Sequence, residues 1–367
     1  MLVADVMTSI GLYYLWNKGY KQYIPLASLC SIGASYLYCC LRSRDKISSN
    51  DLIVITGCSS GLGYTLALHC RELGATVIAG VLQIGSPGAK RLLSEGIFVY
   101  PVDIRVIKSV ENFRDFIQTV LTERNLTLRC LINNAAVMVF GEFEWQTYEQ
   151  LRNQMEVNLL GTMRVTKELM PLIRAHFSRI IVISSHCKIQ PIPGVAAYSG
   201  TKAALSAWAT AIRIELKKYG VKVVCFIPGS FTTESNILAR QRTHFKKMEK
   251  SMSSEMKTFY GDYFARYSEY FSSMARCGNL EKLQDSGIYE AFEGALLDKY
   301  PSAVYMNEPW RYKIYHTMFR ITPTYLRDRL VEKFVQSPSW TKQDVAEQDV
   351  AEQGVAEQGV ATSSTNE

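Results

Sequence analysis

The 367-residue sequence predicts an α/β fold, a doubly wound parallel sheet with helices on both faces. Three observations carry that expectation. Six short runs rich in Val and Ile recur between Asp51 and Ile227, each nearly continuous in apolar residues, as strands buried on both faces must be. Helix-length segments separate most of them. The first run also ends in a glycine-rich turn, Thr56 to Gly63, with an amphipathic segment directly behind it.

The first 46 residues differ from the rest. Tyr23 to Leu41 is nineteen residues without a charge, flanked by Lys18 and Lys21 before and by Arg42, Arg44 and Lys46 after. As a helix it would span ~28 Å, close to the ~30 Å of a bilayer's hydrocarbon core. Met1 to Trp16 is also apolar but carries Asp5. A cleaved signal peptide needs an early positive region, and a mitochondrial presequence needs arginines, yet none precedes Arg42. Residues 1–46 therefore read as a retained hydrophobic membrane anchor with a basic flank. A buried helix of a soluble domain is the alternative.

The strand runs are DLIVIT, TVIAGVL, IFVYPV, RCLINN, RIIVIS and VKVVCFI. Among the helices between them are Tyr64 to Leu73, closed by Gly74, and Tyr148 to His176. After about Thr233 the strand rhythm stops. Arg240 to Lys257 is basic, Phe259 to Tyr270 is aromatic, and a helix over Asp285 to Lys299 precedes the run SAVYM. A basic, aromatic stretch from Trp310 to Phe334 follows. These boundaries give one domain over 47–335, with 233–335 as a substrate loop and C-terminal helical region. Residues 336–367, built on a DVAEQ repeat, read as a disordered, low-complexity acidic tail.

Charge follows the same division. The chain carries +7, but Thr341 to Glu367 holds one lysine and six acids, a balance of −5, which leaves +12 for the rest. A basic body suits nucleic acid or an anionic membrane. No recognised nucleic-acid module accompanies it, and its cations flank apolar and aromatic segments, so membrane is the expected partner. With 47% hydrophobic residues, disorder of the whole chain is excluded. Nine cysteines without a C-x-x-C pair argue against a disulfide scaffold and a zinc module. His186 and Cys187 alone are too few ligands, so no metal is expected.

The chemistry concentrates at strand ends. Gly57, Gly61 and Gly63 let the backbone turn tightly before a helix whose N-terminus would offer free N–H groups to a pyrophosphate. Tyr198 and Lys202 lie four apart on a predicted helix and point from one face toward the crevice. An ordinary tyrosine, with a pKa of about 10, is a poor base near neutrality, and an adjacent cation favours its phenolate.

The ordered set of motifs resembles the short-chain dehydrogenase/reductase family. Thr56 to Gly63 is similar to its T-G-x-x-x-G-x-G turn, and Asn133 to Ala136 to its N-N-A-G, with Ala136 in place of glycine. Tyr198 to Lys202 is similar to its Y-x-x-x-K, with Ser185 thirteen residues before, and Pro228, Gly229 and Thr233 to its P-G-x-x-x-T. The resemblance implies a single Rossmann-type domain. It assigns catalysis to Asn158, Ser185, Tyr198 and Lys202: Tyr198 as the proton-transfer group, Ser185 on the substrate oxygen, Asn158 on a relay water. It assigns cofactor binding to Thr56, Gly57, Ser59, Gly61, Leu62, Gly63, Asp103, Asn134, Ala135, Tyr198, Lys202, Pro228, Gly229 and Thr233.

The second strand ends in Val81, Leu82 and Gln83, with neither the acid of an NAD site nor the base of an NADP site. The T-G-C start and the PTYLRDRLV ending resemble the retinol/hydroxysteroid and 3-hydroxybutyrate dehydrogenase branch, which implies NAD, with NADP left open. That branch also implies a lipophilic alcohol substrate, with Tyr260, Tyr263 and Phe264 in the pocket, and association with the endoplasmic reticulum or, alternatively, a mitochondrial membrane. A homodimer is compatible with it. A small hydroxy acid, met by Arg240, Arg242 or Lys246, is the runner-up substrate, and a cofactor-binding scaffold without turnover is the non-enzymatic reading.

Overall fold

The computed structural model describes residues 11, 13–14, 16–20, 22, 25–30, 32–33, 43–229, 236–274, 280–308, 310–342 and 344. Thr233, most of the apolar run before Arg42, and the repeats beyond Asp344 lie outside the described residues. Among the described residues, no helix is long and apolar enough to cross a membrane.

The chain divides into two compact units, 1–46 with 297–301, and 47–296 with 302–367. In the first, Arg44 and Asp298 form an antiparallel bridge. The Asp45 N–H donates to the Leu297 carbonyl at 2.8 Å, and Arg44 Nε pairs with Asp298 at 3.3 Å.

The second unit holds the sheet. Seven strands run β1 (Asp51–Thr56), β2 (Thr76–Val81), β3 (Phe98–Pro101), β4 (Thr127–Asn133), β5 (Arg179–Ile183), β6 (Lys222–Ile227) and β7 (Val304–Met306). Their order is β3-β2-β1-β4-β5-β6-β7, and every pairing is parallel. The SAVYM run supplies the seventh strand, and Phe226 pairs with Tyr305. The order reverses between β1 and β4, and the carboxyl ends on either side of that point frame a crevice.

The helices are α1 (Gly61–Glu72), α2 (Pro87–Ser94), α3 (Ile107–Glu123), α4 (Tyr148–Met155), α5 (Thr162–Ala175), α6 (Ala196–Lys217), α7 (Gln241–Ser251), α8 (Ser254–Tyr260), α9 (Asp262–Ser273), α10 (Ser286–Leu297), α11 (Trp310–Ile321) and α12 (Thr324–Val335). Strand residues such as Leu52, Val54, Ile78 and Leu131 are fully buried, and they pack with Phe113 and Ile117 of α3 and Val165 and Leu169 of α5 in one apolar cluster. That burial of β-branched and aromatic side chains is what selects a parallel sheet for this sequence.

The segment read as one helix from Tyr148 to His176 is broken. α4 opens with a capping box, the Thr147 hydroxyl accepting the Gln150 N–H while the Gln150 side chain accepts the Thr147 N–H. It passes through a π-helical turn, Glu156–Gly161, before continuing as α5. Such turns are rare, and they often mark functional positions. A second cluster lies on α7, α8 and α9. Trp145 sits there in edge-on contact with Tyr260, Tyr263, Phe264 and Tyr267, with ring centroids 5.0–5.5 Å away. The chain beyond α12 packs on this cluster. Trp340 stacks on Phe259 at 5.1 Å and donates to its carbonyl, and the buried Asp344 pairs with Arg266 at 2.8 Å.

Candidate active site

The glycine turn is set by a clamp between β1 and β4. The Thr56 hydroxyl accepts the N–H groups of Asn134 and Ala135 at 3.1 and 3.2 Å. The Asn134 side-chain amide donates back to the carbonyls of Thr56 and Gly57 at 2.9 and 3.0 Å. Gly57 adopts φ +75°, and a Cβ there would lie 2.6 Å from Ala135 Cα. A Cβ on Gly63 would lie 2.3 Å from Asn134 Nδ2 and 2.4 Å from the Gly57 carbonyl, so only glycine lets α1 start this close to β4. Ser60, at the N-cap of α1, makes no side-chain capping bond, and the first turn carries no acid. Its leading N–H groups and positive dipole end are left for an anion, which fits a dinucleotide's pyrophosphate.

A cavity of about 470 Å³ runs along the carboxyl edge of the sheet. Its near wall takes Gly57, Ser59, Gly61, Leu62 and Gly63 from the turn. Asp103, Asn134, Ala135, Pro228 and Gly229 continue it, and Ser185, Tyr198 and Lys202 face it from beyond β5. Thr56 and Asn158 do not line it, because both are spent as braces. The fully buried Asn158 accepts the Val137 N–H at 2.8 Å and donates to the Val137 carbonyl at 2.9 Å and to Thr201 Oγ1 at 3.1 Å. It thereby ties the π turn and the loop after β4 to α6, one residue from Lys202.

Tyr198 and Lys202 are both buried, one helical turn apart on α6. The Lys202 ammonium donates to the Ile183 carbonyl at 2.9 Å and lies 5.7 Å from the centre of the Tyr198 ring. Burial lowers its pKa from 10.5 to about 8, so it stays mostly charged at neutrality. Burial raises the Tyr198 phenol above its ordinary value, and a hydrogen bond with Ser185 works in the opposite direction. Ser185 Oγ also accepts the Cys187 N–H at 3.2 Å, which orients the hydroxyl. Cys58, inside the glycine turn, is fully buried, donates to the Ile55 carbonyl, and has its thiol pKa pushed up by burial. It fills space.

Asp103 is held by Arg105, whose guanidinium donates to both carboxylate oxygens, which keeps the acid below its ordinary pKa. Arg105 donates also to Asn153 at 3.0 Å.

The far wall departs from the sequence reading. Tyr260, Tyr263 and Phe264 are not on the cavity: they are buried around Trp145, with the Tyr260 and Tyr263 hydroxyls on Glu144 and Glu142. The aromatic lining is instead Phe140, Tyr312, Phe319 and Phe334, joined by His186 and His316. Tyr312, His316 and Phe319 fall at i, i+4 and i+7 on α11, a spacing visible in the sequence that defines one face of a helix. Of the three cations expected for a hydroxy acid, Arg240 lines the cavity, whereas Arg242 and Lys246 are exposed away from it.

The family described as short chain dehydrogenase matches residues 51–243. Over 299 residues the chain is 32% identical to estradiol 17-beta-dehydrogenase 2 of Rattus norvegicus, covering 77% of this chain and 76% of that one. It is 30% identical over 270 residues to the mitochondrial D-beta-hydroxybutyrate dehydrogenase of Mus musculus, covering 72% and 78%. It is 27% identical over 307 residues to retinol dehydrogenase 7 of Rattus norvegicus, covering 83% and 95%.

The buried ammonium has a measurable consequence. Between about 8 and 10.5 the folded chain binds fewer protons at Lys202 than the unfolded chain does. Stability at this site therefore rises with pH across that window, and below it the full penalty of about 3 kcal/mol applies. After allowing about 1 kcal/mol for the lost Ile183 bond, Lys202→Met is expected to raise the unfolding free energy at neutral pH by about 1–3 kcal/mol. The gain should shrink as the pH rises through 9. Urea denaturation of both proteins at the two pH values measures it, and a variant less stable than the parent at neutral pH contradicts it.

Proposed function

The chain belongs to the short-chain dehydrogenase/reductase family of NAD(P)-dependent oxidoreductases, and from that premise we propose that it interconverts a lipophilic alcohol and its carbonyl, with Tyr198 as the proton-transfer group. The observation that carries this reading is the convergence of Tyr198, Lys202 and Ser185 on one cavity, opposite an α1 N-terminus suited to a pyrophosphate.

Bound nicotinamide supplies the hydride acceptor for oxidation and the donor for reduction. The chain's residues do the rest. The N–H groups at the start of α1, with Ser59, Gly61, Leu62 and Gly63 around them, take the pyrophosphate, and Asp103 takes the adenine amino group. Ala135, Pro228 and Gly229 bound the path to the reacting end. Ser185 donates a hydrogen bond to the substrate oxygen and fixes it beside Tyr198 Oη. Tyr198 accepts the alcohol proton during oxidation and returns it during reduction. Lys202, its ammonium 5.7 Å from the ring centre, favours the phenolate by its charge. Asn158 acts through its braces on Val137 and Thr201 as a positioning residue.

NAD is the proposed cofactor. Leu82, exposed at the end of β2, occupies the cavity edge where a ribose-directed acid or base would stand. Arg105, the cation nearest to Asp103, is already engaged by Asp103 and Asn153, so it is poorly placed to receive a 2′-phosphate. The aromatic far wall supports a lipophilic substrate, and relatives named for estradiol and retinol agree with it. Arg240 on the lining is the observation favouring the second reading, a small hydroxy acid, in line with a relative named for D-beta-hydroxybutyrate.

The membrane reading rests on the uncharged run Tyr23 to Leu41 with its basic flanks, and on the outer faces of α11 and α12. There Trp310, Ile314, Ile321, Tyr325 and Leu326 are exposed, an apolar surface that suits an interface with lipid. An endoplasmic reticulum location is the proposal, with a mitochondrial membrane as its alternative.

Tyr198→Phe should reduce turnover of a converted alcohol by roughly 10²–10⁴-fold and leave NAD affinity unchanged in a fluorescence titration; normal turnover would remove Tyr198 from the chemistry. The same titration with both dinucleotides should show tighter binding of NAD than of NADP, and the reverse order would overturn the cofactor assignment. On carbonate extraction the full-length chain should stay with the membrane pellet, and deletion of the residues before Lys46 should release most of it. A full-length chain found in the supernatant sinks the anchor.

A further inference from the structure

Three side chains, two of them on the far wall, meet without any part in hydride chemistry. His186 follows Ser185 in a single 3₁₀ turn after β5. Glu308 leaves β7 two residues after its last position, and His316 stands on α11. The donor atoms of all three lie within 4.8 Å of one another, and the two imidazole rings are 4.4 Å apart between centroids. His316 Nδ1 is hydrogen-bonded to Glu308 Oε1.

An ordinary histidine–carboxylate pair accounts for Glu308 and His316 but leaves His186 unexplained. Its Nδ1 is buried and has no hydrogen-bond partner. The ring also donates to the backbone carbonyl of Asn307, the residue immediately before Glu308. A bond from one ring nitrogen to backbone that fixes the ring while the other nitrogen is left bare is the usual setting of a metal-ligating histidine. A buried nitrogen without a partner is otherwise costly, and coordination would relieve that cost.

We propose that His186, Glu308 and His316 form a binding site for a divalent cation of the zinc class. Two imidazoles and one carboxylate form a borderline nitrogen and oxygen donor set that suits zinc over calcium or magnesium. Zinc bonds of about 2.0–2.1 Å place tetrahedral donors about 3.3 Å apart, so the cluster has to contract by about 1.5 Å at its widest separation. Side-chain rotation of Glu308 away from His316 opens the central position. His186 and His316 both line the cavity, so a fourth coordination position faces its interior and can take water or a ligand oxygen. The ion ties the turn carrying Ser185 to α11, two segments more than a hundred residues apart in sequence, and so fixes the width of the cavity between them.

The site is testable without a substrate, so its failure is separable from failure of the proposed oxidoreductase activity. Full-length protein is stripped with a chelator; one portion is dialysed against Zn²⁺ and a second, metal-free portion is titrated with Co²⁺. One ion per chain is expected, with the intense visible absorption of a four- or five-coordinate cobalt centre and without a thiolate charge-transfer band. Glu308→Gln and His316→Ala should each weaken zinc binding at least tenfold, whereas His176→Ala should leave it unchanged. If a variant does not fold, as judged by its melting transition, the wild-type cobalt spectrum still decides. A weak six-coordinate spectrum, a thiolate band pointing to cysteine, or equal loss in the His176 variant would each overturn the site.

Discussion

The geometry of the crevice depends on one contact, the exchange of hydrogen bonds between Thr56 and Asn134 where strand order reverses. Four bonds join the end of β1 to the end of β4, two accepted by the Thr56 hydroxyl and two donated by the Asn134 amide. A typical hydrogen bond nets only about 1 kcal/mol. Removing either side chain, however, leaves several backbone groups unpaired at a buried or partly buried site, which costs more than the bonds themselves contribute. The clamp also explains why Gly57 and Gly63 have no room for a side chain, since each faces this contact at under 3 Å. With the turn held in this way, the start of α1 points its N–H groups along the strand ends.

Asn158 repeats the device on the other side of the cavity. One amide joins the loop after β4 to α6, and the π turn supplies the extra residue that lets it reach both. The position of Tyr198 and Lys202 thus depends on a side chain that bonds the Val137 backbone on one side and Thr201 on the other. Placement by buried amides suits a site whose atoms must be held to within a fraction of an ångström, because an amide's donors and acceptor specify direction as well as distance.

Local signals made the sheet and the near wall readable. Val- and Ile-rich runs, a glycine turn and a Tyr–Lys spacing of four each encode their structure within a few residues. The π turn is not local: Tyr148 to His176 has good helical periodicity throughout, and only the distant partners Val137 and Thr201 reveal the insertion. The hydrogen bonds of Thr56 and Asn158, which the resemblance assigns to cofactor binding and catalysis, likewise go to partners distant in sequence. Tyr260 and Tyr263 lie off the cavity; aromatic content says nothing about which neighbour a ring meets, and Trp145, from another part of the chain, gathers them. The cavity's aromatic wall comes instead from α11 and α12, with Phe140 of the loop after β4. Trp340 and Asp344 lie in a segment that composition assigns to the tail, yet both pack on α8 and α9. An indole just ahead of an otherwise polar repeat was the available signal.

Lys202 shows what such a site costs. An ammonium that donates to the Ile183 carbonyl lies 5.7 Å from the ring centre of a buried phenol, and burial moves both groups toward their neutral forms. The two shifts are separate in origin from the braces, because exclusion of water is the largest cause of each. A chain optimised for stability would place an apolar side chain at that position, as it does at Leu205 less than one turn further along the same face. Retaining the charge is compatible with folding because the surrounding sheet is so thoroughly apolar: strands β1, β5 and β6 bury nearly every side chain they carry. The apolar interior that makes the cation expensive is thus also what lets the fold tolerate it.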